Sequence, residues 1–156
     1  MTVTVYRLTQ TKHLQNAFDG EGARLNGGRW NCVGTPMVYT SSSLSLATLE
    51  LLVHIEDISI INGLYSVIPV EFDDPLIERI SETALPIGWD APEPIADTQI
   101  LGDEWINGAS SAVLEIPSAV TTSESNFLFN PQHSDFGAVR IGASYRFRPD
   151  PRLKHQ

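Results

Sequence analysis

Glycines, an arginine and two aromatic residues fall within one short stretch of the chain and could together bind a ligand. The stretch is Asn26-Gly27-Gly28-Arg29-Trp30-Asn31, and Gly34 and Tyr39 follow it. Glycine lets a backbone approach a ligand closely, arginine binds phosphate through two parallel hydrogen bonds, and tyrosine offers a flat face with a hydroxyl at its tip. The combination predicts a pocket for an aromatic, phosphorylated ligand such as a nucleotide. It is equally typical of a Gly-Gly turn beside a buried tryptophan.

A carboxylate is predicted to lie inside an apolar helix. The segment from Leu44 to Ile55 is apolar nearly all round, which is typical of a buried helix, and Ser41-Ser42-Ser43 before it offers an N-cap. Glu50 stands between two leucines of this helix. Because burying a carboxylate is costly without a partner, Glu50 needs one. Either it pairs with His54 one turn on, or with an arginine, and only holds the fold, or it is a catalytic carboxylate.

Two further polar residues stand at the ends of predicted strands, where functional residues concentrate. Arg7 ends a strand predicted over Val3 to Leu8, and it points either into a cleft at the sheet edge or out to water. Ser118 follows Pro117 after a strand predicted over Ala112 to Ile116. A serine in that place is a candidate site residue, although a serine after a proline is also ordinary turn chemistry.

Several common kinds of site are excluded by the sequence. The chain has no Gly-x-x-x-x-Gly-Lys-Ser/Thr loop for phosphate, and Gly20-Glu21-Gly22 lacks the third glycine of a dinucleotide fingerprint. It has no Gly-x-Ser-x-Gly nucleophile turn. Its four histidines are scattered without the spacing of metal ligands, so no metal is expected. Cys32 is the only cysteine, which excludes internal disulfides and favours a reducing cytoplasm.

The elements that must position these residues alternate irregularly between strands and helices. Irregular alternation predicts one compact mixed α/β domain rather than a doubly wound one. Pro69 lies within one predicted strand, where it must occupy an edge or a bulge because proline cannot donate to a ladder. The remaining predictions are a loop-rich region over 20–34, strands over 37–40, 65–72, 138–141 and 144–147, and helices over 75–82 and 98–106.

Composition bounds the class of protein. The 156 residues are enough for one domain with a core, and neither a membrane-spanning apolar run nor a signal peptide is found. The net charge of -9 argues against binding to nucleic acid or to an anionic membrane. Acidic residues concentrate between Glu71 and Glu104, which is the pattern of a solvated face, or alternatively of a docking surface for a basic partner.

The order of these features resembles the RES-domain toxins, the partners of Xre-type antitoxins in bacterial toxin–antitoxin pairs. The family is named after an arginine, a glutamate and a serine, and here these match Arg29, Glu50 and Ser118. The resemblance spans nearly the whole chain, so residues 1–156 are interpreted as one RES domain. Further matches are Tyr6-Arg7, Gly34, Tyr39, Asn126, Asn130-Pro131-x-His133 and the ending Tyr145-Arg146-Phe147-x-x-Asp150-x-Arg152-Leu153.

The resemblance implies a fold similar to that of the ADP-ribosyltransferase toxins and an activity on NAD. By the resemblance, Arg7 and Arg29 bind the phosphates and ribose of NAD, and Tyr39 packs on a ring. Glu50 is then the essential carboxylate, with Ser118 completing a catalytic group that includes Arg29. NAD is the substrate, so neither a cofactor nor a metal is required. The implied partner is an Xre-type antitoxin, with a homodimer inside a larger toxin–antitoxin complex.

The sequence leaves three functions open. The first is a toxin that depletes NAD by phosphorolysis or hydrolysis of the nicotinamide–ribose bond. The second keeps the fold but transfers ADP-ribose to a specific protein, since the acceptor is set by access to the pocket rather than by the core residues. The third is an interaction module in which the arginines and Glu50 form a structural ion network.

Overall fold

One curved sheet forms the centre of the molecule, as shown by a computed structural model that describes residues 1–55 and 58–153. Its strands lie in the order β4-β5-β6-β2-β1-β3-β7, with β8 also pairing to β3. All neighbours are antiparallel except β4 and β5. The strands are β1 Thr2–Gln10, β2 Val38–Ser41, β3 Tyr65–Asp73, β4 Ile77–Arg79, β5 Val113–Pro117, β6 Ser125–Phe129, β7 Arg140–Ile141 and β8 Tyr145–Arg146. The helices are α1 Glu21–Asn26, α2 Leu44–Leu52 and α3 Ala96–Gly108.

The two faces of the sheet bury different cores, because successive side chains of a strand point to opposite faces. One face, which we call the phenylalanine face, carries Val5, Phe72, Phe127 and Phe129. The ring of Phe72 lies 5.5 Å from that of Phe129 and 5.8 Å from that of Phe127. This core is therefore built mainly from strand residues and interlocked aromatic rings.

The opposite face, which we call the helix face, is covered by α2 and α3. Under α3, apolar residues of β5 and β6 pack against three tryptophans, Trp30, Trp89 and Trp105. Under α2, Tyr6 and Leu8 of β1 pack with Leu44 and Leu51 of the helix. The helix face therefore carries two separate apolar clusters.

The predicted fold class, a single mixed α/β domain, is confirmed, and most of the elements are present. Ser43 caps α2 as expected, since its side chain accepts a hydrogen bond from the backbone N–H of Leu46 at 3.0 Å. The prediction that this helix is buried all round is wrong, because Leu49 is 41% exposed and α2 ends at Leu52. Pro69 occupies the gap on the outer side of β3, between its pairings with β7 and β8.

The helix predicted over residues 75–82 is wrong. That segment instead holds a 3-10 turn over Asp74–Leu76, the strand β4 and a second 3-10 turn over Glu82–Ala84. Local helix signals are overridden here because β4 gains parallel pairing with β5. Within residues 1–55 and 58–153, no helix combines the length and the apolar character that a membrane span requires.

Candidate active site

Glu50 is the centre of a short chain of hydrogen bonds on the helix face. The hydroxyl of Ser118 donates to Oε1 of Glu50 at 2.7 Å, and the side-chain amide of Asn126 donates to the same oxygen at 2.7 Å. Short hydrogen bonds to a carboxylate are about twice as strong as those between neutral groups. The partners suggested by the sequence, His54 or an arginine, are not the ones found: His54 lies beyond the end of α2 and is exposed.

Ser118 orients the carboxylate and is not free to act as a nucleophile. Its side chain is fully buried, and its oxygen accepts hydrogen bonds from the backbone N–H groups of Val120 at 3.0 Å and Thr121 at 3.1 Å. A hydroxyl has one proton and two lone pairs. With both lone pairs occupied by backbone donors, the proton of Ser118 is directed at Glu50.

Asn126 and Ser41 extend this chain across the sheet. The hydroxyl of Ser41 donates to Oδ1 of Asn126 at 3.0 Å, and the two residues are direct partners in the β2–β6 ladder. Asn126 also stands opposite Ile116 of β5, two residues before Ser118. The Glu50 cluster, defined as Glu50, Ser118, Asn126 and Ser41, therefore gathers at one end of three neighbouring strands, β5, β6 and β2.

The second oxygen of Glu50 is free to meet a ligand. Within the described residues no hydrogen bond reaches Oε2, and Glu50 is half-buried. Every fully buried side-chain nitrogen or oxygen in that part of the chain has a partner, so Oε2 is accessible from solvent. The site thus presents one fixed, negatively charged oxygen to whatever binds beside it.

Tyr39 ties the glycine-rich loop to the sheet. Its hydroxyl accepts the backbone N–H of Trp30 at 3.0 Å and donates to Oδ1 of Asn31 at 2.7 Å. Burial raises the pKa of Tyr39, and the N–H of Trp30 partly opposes that rise. A Cβ on Gly28 would lie 2.7 Å from the Tyr39 hydroxyl, so this position needs glycine. Tyr39 also lies two residues before Ser41, so both side chains are on the helix face.

Arg29 projects from this loop toward a proline-rich segment. One terminal nitrogen of its guanidinium donates to the carbonyl of Trp89 at 2.9 Å and the other lies 3.4 Å from the carbonyl of Pro92. Its own carbonyl accepts the Thr98 hydroxyl of α3 at 2.7 Å. Arg29 therefore belongs to the helix face, next to the tryptophan cluster, and the structure records no direct contact between it and Glu50.

Arg7 lies on the other side of the sheet. It follows Val5 at the two-residue spacing of the phenylalanine face, and its guanidinium lies 5.9 Å from the ring centre of Phe18. Its Nε donates to the carbonyl of Ala17 at 2.6 Å and one terminal nitrogen to that of Tyr39 at 3.1 Å. Burial lowers the pKa of Arg7 to about 10, so it remains charged at neutral pH. In this arrangement Arg7 braces β1 against β2 and does not face Glu50.

Neither a cysteine nucleophile nor a metal site is found among the described residues. Cys32 is half-buried, and a hydrogen bond with Asp103 raises the pKa of its thiol, which makes it a poor nucleophile. No group of histidine, cysteine, aspartate or glutamate side chains that could hold a metal occurs within residues 1–55 and 58–153.

Replacing Tyr39 tests its anchoring role. Tyr39→Phe removes the acceptor of the Trp30 N–H, and leaving such a donor unsatisfied costs about 1–3 kcal/mol. We therefore expect the free energy of unfolding, measured by urea denaturation, to fall by about 2 kcal/mol. Tyr145→Phe, at an exposed tyrosine, is the control and should change it by less than about 0.5 kcal/mol. Equal effects of the two substitutions would contradict the anchoring role.

Comparison with known proteins places this chain in a family. A model of the RES domain matches residues 4–150. "Toxin Res" of Photorhabdus laumondii is 38% identical over 132 residues, 85% of this chain and 84% of its own length. The "Prs ADP-ribosylating toxin" of Sphingobium sp. is 34% identical over 159 residues, 98% of both chains.

A solved structure with a similar fold is known at lower sequence identity. A chain of the MbcT–MbcA toxin–antitoxin complex of M. tuberculosis superposes with a TM-score of 0.76 at 19% identity, over 98% of this chain and 87% of that one. That likeness concerns the fold, whereas the family match and the two toxins concern the sequence over most of its length. The chain therefore belongs to the RES-domain family.

Proposed function

We propose that this chain is the toxin of a toxin–antitoxin pair and that it consumes NAD+ by cleaving the bond between nicotinamide and ribose. The observation that carries the proposal is the carboxylate of Glu50, with Oε1 held by Ser118 and Asn126 and Oε2 open to a ligand. Cleavage of a glycosidic bond passes through a state in which the sugar carries positive charge. A fixed carboxylate beside the ribose stabilises that charge and needs no rearrangement to do so.

The other predicted site residues divide into two roles under this proposal. Arg29 is the candidate for the pyrophosphate, because its guanidinium is half-buried on the helix face and its present acceptors are neutral carbonyls. A phosphate would give it stronger, charge-assisted hydrogen bonds. Tyr39, half-buried on the same face, is the candidate to pack on a ring of NAD+, and Arg7 supports the sheet from the opposite face rather than binding NAD+ itself.

The proposed partner is an antitoxin of the Xre type, acting in the cytoplasm. The fold shared with a chain of a toxin–antitoxin complex supports an antitoxin as partner, and the Xre type follows from the sequence resemblance. The net charge of -9 means that this chain is poorly suited to bind nucleic acid directly. NAD+ is the substrate in this proposal, and no additional cofactor takes part.

The decisive experiment measures nicotinamide release by proton NMR, using purified, folded, antitoxin-free protein and NAD+. We expect release, and the comparison of reactions with and without inorganic phosphate identifies the acceptor. Release that requires phosphate establishes phosphorolysis, and release without it establishes hydrolysis. Absence of release under both conditions would overturn the proposal of NAD+ degradation.

Transfer of ADP-ribose to a protein is the second candidate, and the Sphingobium relative is the observation that favours it. The same open oxygen of Glu50 would serve, because transfer differs from hydrolysis only in the acceptor that attacks the ribose. Incubation with NAD+ labelled in the adenylate half and with Prs, the protein named in that toxin's name, tests it. Label on Prs would favour transfer, and free labelled product with unlabelled Prs would favour degradation.

A further inference from the structure

We infer that Asn126, fixed by Ser41, is a positioning residue that decides which oxygen of Glu50 meets the substrate. This inference rests on the proposed function, since it assigns Oε2 to the reacting ribose. The two oxygens of Glu50 are not equivalent, because both donors to this carboxylate, at 2.7 Å each, converge on Oε1. A role of this kind for Ser41 is not evident from the sequence.

A positioning device is needed because a glutamate carboxylate is not oriented by its own chain. The last torsion of glutamate is broad and nearly two-fold, so on a helix the carboxylate could turn either oxygen outward or lie across the site. Two donors arriving from different strands hold one oxygen from two directions. Ser118 comes from the end of β5 and Asn126 from β6, and together they define the plane of the carboxylate.

Asn126 can act this way only if its amide is oriented, and Ser41 supplies the orientation. An amide has an acceptor oxygen and a donor nitrogen of nearly the same shape. The Ser41 hydroxyl donates to Oδ1 at 3.0 Å, which turns Nδ2 toward Glu50. Ser41 is itself 5% exposed and lies on a strand. The sheet therefore fixes Ser41, Ser41 orients the amide of Asn126, and Asn126 orients the carboxylate of Glu50.

The test separates positioning from folding by measuring kcat, KM and thermal unfolding on the same variants. Asn126→Asp keeps the shape and the acceptor for Ser41 but sets a negative oxygen against Glu50. We expect kcat for nicotinamide release to fall about 100-fold, the loss typical of a reacting group misplaced by about 1 Å, while KM changes by less than about 3-fold. Ser41→Ala, which frees the amide without adding charge, should lower kcat about 10-fold.

Ser125→Ala is the matched control. Ser125 neighbours Asn126 on β6 but points to the phenylalanine face, where its hydroxyl donates to Glu115 at 2.9 Å. Like Ser41→Ala, this substitution removes a hydrogen bond from a serine hydroxyl to a side-chain oxygen, here that of Glu115 rather than Asn126, but it does so away from Glu50. We expect wild-type kcat. Variants of Asn126 and Ser41 that unfold at lower temperature but keep wild-type kcat when folded would overturn the inference.

A second readout does not depend on turnover. The side-chain amide resonance of Asn126, assigned by its loss in Asn126→Asp, should shift in Glu50→Gln and in Ser41→Ala but not in Ser125→Ala. If the wild type releases no nicotinamide, the proposed function fails, and a shifted resonance still supports the fixed geometry of Glu50. If the Asn126 resonance shifts in neither Glu50→Gln nor Ser41→Ala, the inference is overturned even when the enzyme is active.

Discussion

Glu50→Gln is expected to lower kcat for nicotinamide release about 1000-fold, in line with the loss of one preorganised electrostatic contact, while the protein stays folded. The expected loss of activity follows from the two hydrogen-bond donors at Oε1. Ser118 and Asn126 both donate hydrogen bonds there, so a glutamine must place its amide oxygen at that position. Its amide nitrogen then takes the place of Oε2 and presents a neutral donor where the reaction needs a negative acceptor.

The substitution should affect binding much less than the chemical step. Ground-state NAD+ carries less charge at the ribose carbon than the transition state does, so the lost attraction is felt mainly in kcat. Stability should fall by only about 1 kcal/mol, because hydrogen bonds to a charged acceptor become neutral ones. Calorimetric titration with NAD+ and thermal unfolding measure these two quantities beside the kinetics.

Glu115→Gln is the matched control for this experiment. Glu115 is also a half-buried carboxylate with two side-chain donors, Nε of Arg79 at 2.9 Å and the hydroxyl of Ser125 at 2.9 Å, but it points to the phenylalanine face. We expect full turnover from this variant. A folded Glu50→Gln protein that turns over NAD+ as fast as Glu115→Gln would remove Glu50 from the mechanism.

Residue types alone predicted that Glu50 needs a partner, but not which one. The sequence offers His54 within one helical turn and several arginines, whereas the observed partners are 68 and 76 positions away in the chain. Asn126 lies on β6, which is not among the strands predicted from the sequence. Because that strand is not predicted, its pairing with β2, which brings Asn126 beside Ser41, cannot be predicted either.

Strand parity places Arg7 on the face of the sheet opposite Glu50, which the sequence alone does not show. The strand itself was predicted, and alternation along it was visible, but the sequence does not show which face the ligand uses. Packing shows on which face each residue of β1 lies: Val5 belongs to the core of the phenylalanine face and Tyr6 to the cluster under α2. Arg7 shares the parity of Val5, and Glu50 stands on α2 above the other face.

Gly102→Ala is expected to cost about 3 kcal/mol or more of the free energy of unfolding, the upper range for an overpacked core. Gly102 lies on the buried side of α3, and a Cβ there would overlap the carbonyl oxygen of Trp30. The obstacle is backbone, which cannot rotate away as a side chain can. Either α3 or the loop that carries Arg29 must move.

The loop has little freedom to move because α3 holds it along its length. Gln99 donates to the Gly28 carbonyl at 3.1 Å, and the backbone N–H of Cys32 donates to Asp103 at 3.0 Å. Gly102 lies between these contacts, so an added methyl group would clash with a part of the loop that is held by hydrogen bonds on both sides. Displacing it would also shift Arg29, and the loss of stability should therefore be accompanied by weaker NAD+ binding.

Gly108→Ala in the same helix separates this clash from the general effect of alanine. Apart from its chain neighbours and the backbone of α3, no atom of the described residues would lie within 4 Å of a Cβ at Gly108, the last residue of this helix. Alanine favours a helix by up to about 1 kcal/mol over glycine, so this variant should be neutral or slightly more stable in urea denaturation. Gly102→Ala gains the same helix propensity, yet it should unfold at a much lower urea concentration. If both variants unfold at the same concentration, the close contact between α3 and the Trp30 carbonyl is not what fixes the Arg29 loop.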